Sequence, residues 1–135
     1  MKRILIFMLF ALPLTLSAAT FYVATTGNDN NPGTLAAPFR TLTKAIAAAS
    51  PGSIIELRGG KYTSSEIRIN KSNLTIRSYA NEWAIITAVT NVEDISSCLW
   101  YNEPETDGGT LERLEIVGGY YYAIALRGQE PLGTG

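Results

Sequence analysis

The sequence predicts an all-β fold: the N-terminal portion of a right-handed parallel β-helix, a solenoid with a short amphipathic helix capping its first coil. Three observations carry that reading. From Ile54 onward the chain breaks into short runs of alternating polarity, each bounded by Gly, Asn, Ser or Pro, and a period of two marks half-buried strands. The hairpin signals that would join antiparallel partners are mostly missing, since neither Asn-Gly nor Asp-Gly connects the early runs and only Asp107-Gly108 offers a later turn. Just ahead of the runs, Leu42, Ala45, Ile46 and Ala49 recur at helical spacing.

Residues 1–19 read as a signal peptide. Lys2 and Arg3 open it, an uncharged apolar run from Ile4 to Leu16 follows, and Ser17-Ala18-Ala19 closes it with small residues, which places cleavage after Ala19. The run is shorter than the roughly 20 residues that a helix needs to cross a bilayer. The expected address is secreted, periplasmic or cell-surface, with no membrane contact after cleavage.

Residues 20–53 are expected to hold an N-terminal strand, a turn and the capping helix. Thr20-Phe21-Tyr22-Val23-Ala24 is rich in aromatic and β-branched residues, as strands are. Thr26 to Thr34 holds the residue types that make surface turns. Thr41 is placed to N-cap the helix over residues 42–49, and Ser50-Pro51-Gly52 to end it.

Residues 54–135 are expected to form the first coils. Strands are predicted at Ile55–Leu57, Ile67–Ile69, Leu74–Arg77, Ile85–Thr87, Leu114–Ile116 and Ile124–Leu126. Stacked at about 4.8 Å per coil, these runs point Ile55, Leu57, Ile67, Ile69, Leu74, Ile76, Ile85, Leu114, Ile116, Ile124 and Leu126 inward. The apolar stripe of the helix then plugs the open end of the column. The sequence ends at Gly135 without a capping element and reads as truncated, so the missing C-terminal coils are the first expected partner.

Composition narrows the chemistry. At 46% hydrophobic and 17% charged residues the chain is foldable. Removing Lys2 and Arg3 leaves nine basic residues against twelve acidic ones, a net charge of −3, with no basic block to follow a nucleic-acid backbone. Without histidine, Ser-His and Cys-His nucleophile pairs are excluded. Cys98, the sole cysteine, is expected to be a small buried apolar side chain.

Tyr22 to Thr34, followed by Pro38-Phe39-Arg40-Thr41-Leu42, Ala45-Ile46 and Pro51 to Tyr62, resembles the opening of secreted right-handed parallel β-helix proteins. Asn73 to Ser78 and Leu111 to Gly119 are similar to later coils of that group. The group includes polysaccharide lyases acting on pectate, alginate or chondroitin, along with hydrolases, epimerases and members without assigned activity. The resemblance therefore implies a polysaccharide partner, acidic in the lyases, and catalytic residues on coils beyond Gly135.

Lyase chemistry needs a base beside the sugar ring and a cation to stabilise the enolate-like intermediate. Calcium could supply that cation in the complete protein, but Asp29, Asp94 and Asp107 lie too far apart in sequence to define a site, and Asn28-Asp29-Asn30 reads as a turn. Arg58, Lys61, Arg68, Arg77 and Arg127 are available on outer faces, although charges there also serve solubility. Glu56, Glu66, Glu112 and Glu115 are available as carboxylates, with no two shown to face each other. Trp100, Tyr101, Tyr120 and Tyr122 are the candidates for stacking on sugar rings, the alternative being that Trp100 and at least one tyrosine of the run Tyr120-Tyr121-Tyr122 fill the core or a coil corner. The expected function is the N-terminal piece of a carbohydrate-active, lyase-like protein that is inactive alone; the alternative is a non-catalytic glycan-binding or surface protein.

Overall fold

The computed structural model describes residues 18–88, 97–102, 107–119 and 121–127. In chain order the elements are β1 (Thr20–Val23), α1 (Leu42–Ala48), β2 (Ile54–Leu57), β3 (Gly60–Ser64), β4 (Ile67–Ile69), β5 (Thr75–Ser78), β6 (Ala84–Ala88), β7 (Ser97–Asn102), β8 (Thr110–Glu112), β9 (Leu114–Val117) and β10 (Tyr122–Arg127). Each of β2 to β7 pairs in parallel with the strand three places on, and β1 pairs in parallel with β2. The results are a first sheet β1-β2-β5-β8, a second sheet β3-β6-β9 and a third sheet β4-β7-β10. One strand per sheet per coil is the topology of a parallel β-helix.

The inward residues stack in columns set by this register. Phe21, Ile55, Ile76 and Leu111 form one column. Tyr62, Ile86 and Ile116 form a second, and Ile67, Leu99 and Ile124 a third. Ile55, Ile76, Ile86 and Leu99 are completely buried, and each such side chain contributes roughly 1.5–3 kcal/mol by leaving water. Leu57, Ile67, Ile69 and Leu74 are buried as the sequence predicts, and Leu114 and Ile116 pack partly buried against the same core.

Three expected inward residues behave differently. Ile85 lies in an outward row between Lys61 and Glu115, while its neighbours Ala84 and Ile86 are the buried ones. The physical reason is that Ile85-Ile86 is apolar at both parities, so Tyr62 beneath Ile86 decides which one turns in. Ile124 is 38% and Leu126 74% exposed, because β10 pairs with β7 on one side and with no described strand on the other.

The capping helix forms where Thr41 accepts a hydrogen bond from Lys44 N–H at 3.2 Å. Leu42, Ala45, Ile46 and Ala49 turn to the core and are buried. Ahead of it, residues 24–39 fold back onto β1. Tyr22 N–H donates to the Gly33 carbonyl, Phe39 N–H to the Tyr22 carbonyl and Ala24 N–H to the Phe39 carbonyl. A Cβ at Gly27 would stand 2.2 Å from the Phe39 carbonyl oxygen, so only glycine fits that approach. Asp29 then anchors the helix start by accepting from Arg40 N–H, Thr41 N–H and the Thr41 hydroxyl, each at 2.9 Å. Burial works to raise the Asp29 pKa, but those three donors and the Lys44 charge outweigh it and hold the carboxyl below its ordinary range.

Charged residues occupy the outward rows and corners. Glu56, Arg77 and Glu112 follow one another up the first sheet, with Arg77 2.7 Å from Glu56 and 3.8 Å from Glu112. At the corner between the first and second sheets, Arg58 donates to both oxygens of Glu82 at 2.8 and 2.9 Å, and Gly59 N–H adds a third bond. One coil higher, Arg113 takes a left-handed φ of 53° between β8 and β9. Its guanidinium donates to the Ser78 and Ala80 carbonyls below it.

The cap predicts that Ile46→Asp, which sets an unpaired charge in an apolar contact, destabilises the chain by on the order of 4 kcal/mol in urea denaturation. Ala47→Asp, on the exposed side of the same helix, should stay within about 0.5 kcal/mol. Equal effects of the two changes would contradict the cap.

Glu82 carries a pH dependence. The Arg58 hydrogen bonds first, then the Gly59 N–H, hold its carboxyl below the ordinary 4.5. A carboxylate with a depressed folded-state pKa stabilises the fold above its unfolded value and loses that contribution as pH falls through the folded value. Wild type should therefore exceed Glu82→Gln in stability at pH ~7, with the gap closing in acid well below pH ~4. A gap that persists at the acid end would show that ionisation of Glu82 is not its source.

Candidate functional site

The parity of the second sheet turns Lys61 and Thr63 of β3, Ile85 and Thr87 of β6, and Glu115 and Val117 of β9 outward, in two rows along the solenoid axis. Two cavities adjoin these rows. The smaller, about 150 Å³, lies between the Arg40–Leu42 segment and β3 and is lined by Thr25, Arg40, Thr41, Leu42, Lys61, Tyr62, Thr63, Ser64 and Ile67. The larger, about 340 Å³, is lined by Lys61, Ile85, Thr87, Ala88, Glu115 and Val117. Lys61 borders both, so together they make one trough from the cap to β9.

The polar groups of the trough differ in what they have free to offer. The Thr41 hydroxyl donates to Asp29 and accepts from Lys44 N–H. The Tyr62 hydroxyl lies 2.6 Å from the Arg58 carbonyl and 3.1 Å from the Val23 carbonyl, and it donates inward. Burial first, then the Glu82 charge, pushes its pKa up to about 12. Tyr62 stays protonated at neutral pH and cannot act as a base there. Among the described residues, neither Arg40 nor Lys61 makes an ion pair. At the far end Trp83 is 56% exposed, and its indole N–H donates to Glu115 at 3.2 Å.

The aromatic residues expected from sequence lie on the third sheet and do not converge. Trp100 is half-buried in the outward row between Arg68 and Ala125. Tyr101 faces inward, between Ile69 and Leu126 in register, and packs partly buried against the core. Tyr122 is 62% exposed in the row of Ile124 and Leu126. Tyr120 lies outside the described residues.

The other expected groups are mostly engaged. Arg58, Arg68 and Arg77 are paired with Glu82, Glu66 and Glu56; the side chain of Arg127 lies outside the described residues. Glu56 and Glu112 both turn to Arg77, so they do not face each other across an open cleft. Cys98 is buried, and burial pushes its thiol pKa up. No three His, Cys, Asp or Glu side chains cluster among the described residues, and both Asp29 oxygens already accept hydrogen bonds. These residues do not fit a calcium site. Among the described residues no helix is long and apolar enough to cross a membrane.

Arg40 and Trp83 are the site residues that sequence reasoning missed. The strand pattern is the available signal for Trp83, which directly precedes β6 and continues outward an alternation whose buried members are Ala84 and Ile86. Arg40 follows from Phe39 and Leu42, which face the core on either side of an exposed Arg40-Thr41 pair.

The chain is similar to several known proteins. Over 75 residues the chain is 41% identical to pectate lyase PEL9 of Emericella nidulans, covering 51% of this chain and 18% of that protein. Over 78 residues it is 35% identical to the uncharacterized protein YwoF of Bacillus subtilis, covering 53% of this chain and 17% of that one. The chain thus spans less than a fifth of the length of these curated relatives. A solved structure, the complex of XylC with xylose, aligns with a TM-score of 0.47 at 28% identity, covering 50% of this chain and 11% of that one. The Pel9A-like right-handed β-helix region matches residues 21–130, which takes in every strand from Phe21 to Arg127, and the chain belongs to that family.

Proposed function

We propose that this chain is the N-terminal part of a secreted, carbohydrate-active β-helix protein that acts on an acidic polysaccharide by lyase chemistry, and that the 135 residues alone do not complete the reaction. The observation that carries the reading is the 41% identity to a pectate lyase over 75 residues, in a chain whose family is a β-helix region. The described residues supply cations on an outer face, Arg40 and Lys61. The neighbouring phenol Tyr62 is protonated at neutral pH and is not the base. On this reading the base for proton abstraction belongs to coils that follow these.

Export through the leader, with cleavage after Ala19, completes the reading. Such cleavage removes one ladder bond, from Ile54 N–H to the Ala19 carbonyl at 2.9 Å, and β1 then begins at the new terminus. A second reading, a non-catalytic glycan-binding rod, is favoured by the exposed Trp83 and is separated by the same experiment.

The experiment compares the 135-residue chain with the longer protein encoded by its reading frame, both incubated with pectate, alginate and chondroitin. The expected result is ultraviolet absorbance of unsaturated uronate ends from the longer protein and none from the 135-residue chain. Turnover by a monodisperse 135-residue preparation would overturn the inactivity. Glycan binding by the longer protein without unsaturated ends would replace the lyase reading by the binding one.

A further inference from the structure

We propose that the smaller cavity, between Arg40 and β3, is a subsite for the carboxylate of one acidic sugar residue, with Arg40 and Lys61 as its cationic partners. The proposal rests on the acidic-glycan reading above and names a place for the glycan on the second sheet, away from the aromatic residues of the third.

Charge pairing is the first argument. The corner and strand arginines Arg58, Arg68 and Arg77 each have a glutamate at hydrogen-bond distance, and Arg113 is spent on carbonyl oxygens. Arg40 and Lys61 line one cavity and make no ion pair among the described residues. Asp29 does not neutralise Arg40, since its oxygens take the Arg40 and Thr41 N–H groups and the Thr41 hydroxyl. Two cations lining one concavity raise its positive potential and favour an anion there.

Size and lining are the second argument. At about 150 Å³ the space has room for a carboxylate-sized group. Thr25, Thr63 and Ser64 add hydroxyls to the wall, and the Thr63 hydroxyl is only loosely engaged, 3.4 Å from that of Thr87. The polymer has a way out along the axis, because Lys61 also borders the larger cavity that runs over Ile85 and Thr87 to Glu115.

The test is a titration of the ¹⁵N-labelled full chain with trigalacturonate, inorganic phosphate and xylotriose, followed by amide shifts. Trigalacturonate should move the amides of Arg40, Thr41 and Lys61 to Ser64, and xylotriose should not. Arg40→Gln combined with Lys61→Gln should weaken the trigalacturonate response on the order of tenfold or more, the effect expected of lost charge-assisted bonds, without lowering the melting temperature. Arg68→Gln, a charge change on the third sheet, should leave the response intact. Equal shifts from phosphate would reduce the site to a general anion site. Equal loss in Arg68→Gln would reduce it to bulk charge. Absence of shifts in these amides would overturn it outright. Failure of the lyase reading shows separately, as no unsaturated ends from the longer protein while the cavity still binds trigalacturonate.

Discussion

In-register parallel stacking of the coils is the constraint on which the rest of the structure depends. A β-strand of three to six residues is too short to hold its place alone, and a parallel pair is slightly less stable per residue than an antiparallel one. What fixes each strand is the residue above and below it. Ile76 lies between Ile55 and Leu111, and Ile86 between Tyr62 and Ile116. A slip of one residue would exchange every inward side chain for an outward one, bringing Arg77 or Lys61 into the column. The cost of burying an unpaired charge thereby makes the register unique. Below the first coil β1 pairs with β2, and α1 covers the core with Leu42, Ala45 and Ile46.

The same register places the functional groups. Because Ile85 sits directly above Lys61 and below Glu115, the outer face of the second sheet carries a cation, an apolar step and an anion in axial order. On the first sheet the corresponding row holds Glu56, Arg77 and Glu112, charges that satisfy one another and leave little for a ligand. The second sheet differs because Arg40 approaches it from the segment before the cap, held there by Asp29. A turn residue thus governs the electrostatics of a surface formed by a strand more than thirty residues later in the chain.

Much of this was legible in the sequence. Thr41 as N-cap, the buried stripe of the helix, and the runs around Ile55, Ile67 and Ile76 all follow from period and capping chemistry, which are local. The segments that became β3, β7 and β8 were not legible as strands. Gly60-Lys61-Tyr62-Thr63-Ser64 has one apolar inward residue, and its pairing with β6 is decided by chain-remote neighbours. Ile85 and Ile86 could not be assigned to faces for the same reason. The aromatic candidates illustrate the limit for function. Trp100 and Tyr101 are adjacent in sequence and therefore face opposite sides of a strand, so they could never form one platform. Trp83 and Glu115, whose indole N–H and carboxylate meet at 3.2 Å, come together only through the stacking of β9 on β6.

Stacking is tested most directly by side-chain nuclear Overhauser contacts in the labelled chain. The account predicts cross-peaks from the Tyr62 ring to Ile86 methyls, from Ile55 to Ile76, and from Ile67 to Leu99, with none from the Tyr62 ring to Ile85. Contacts from Tyr62 to Ile85 in place of Ile86, or strong Hα–Hα peaks between consecutive strands of the kind antiparallel pairing gives, would contradict it.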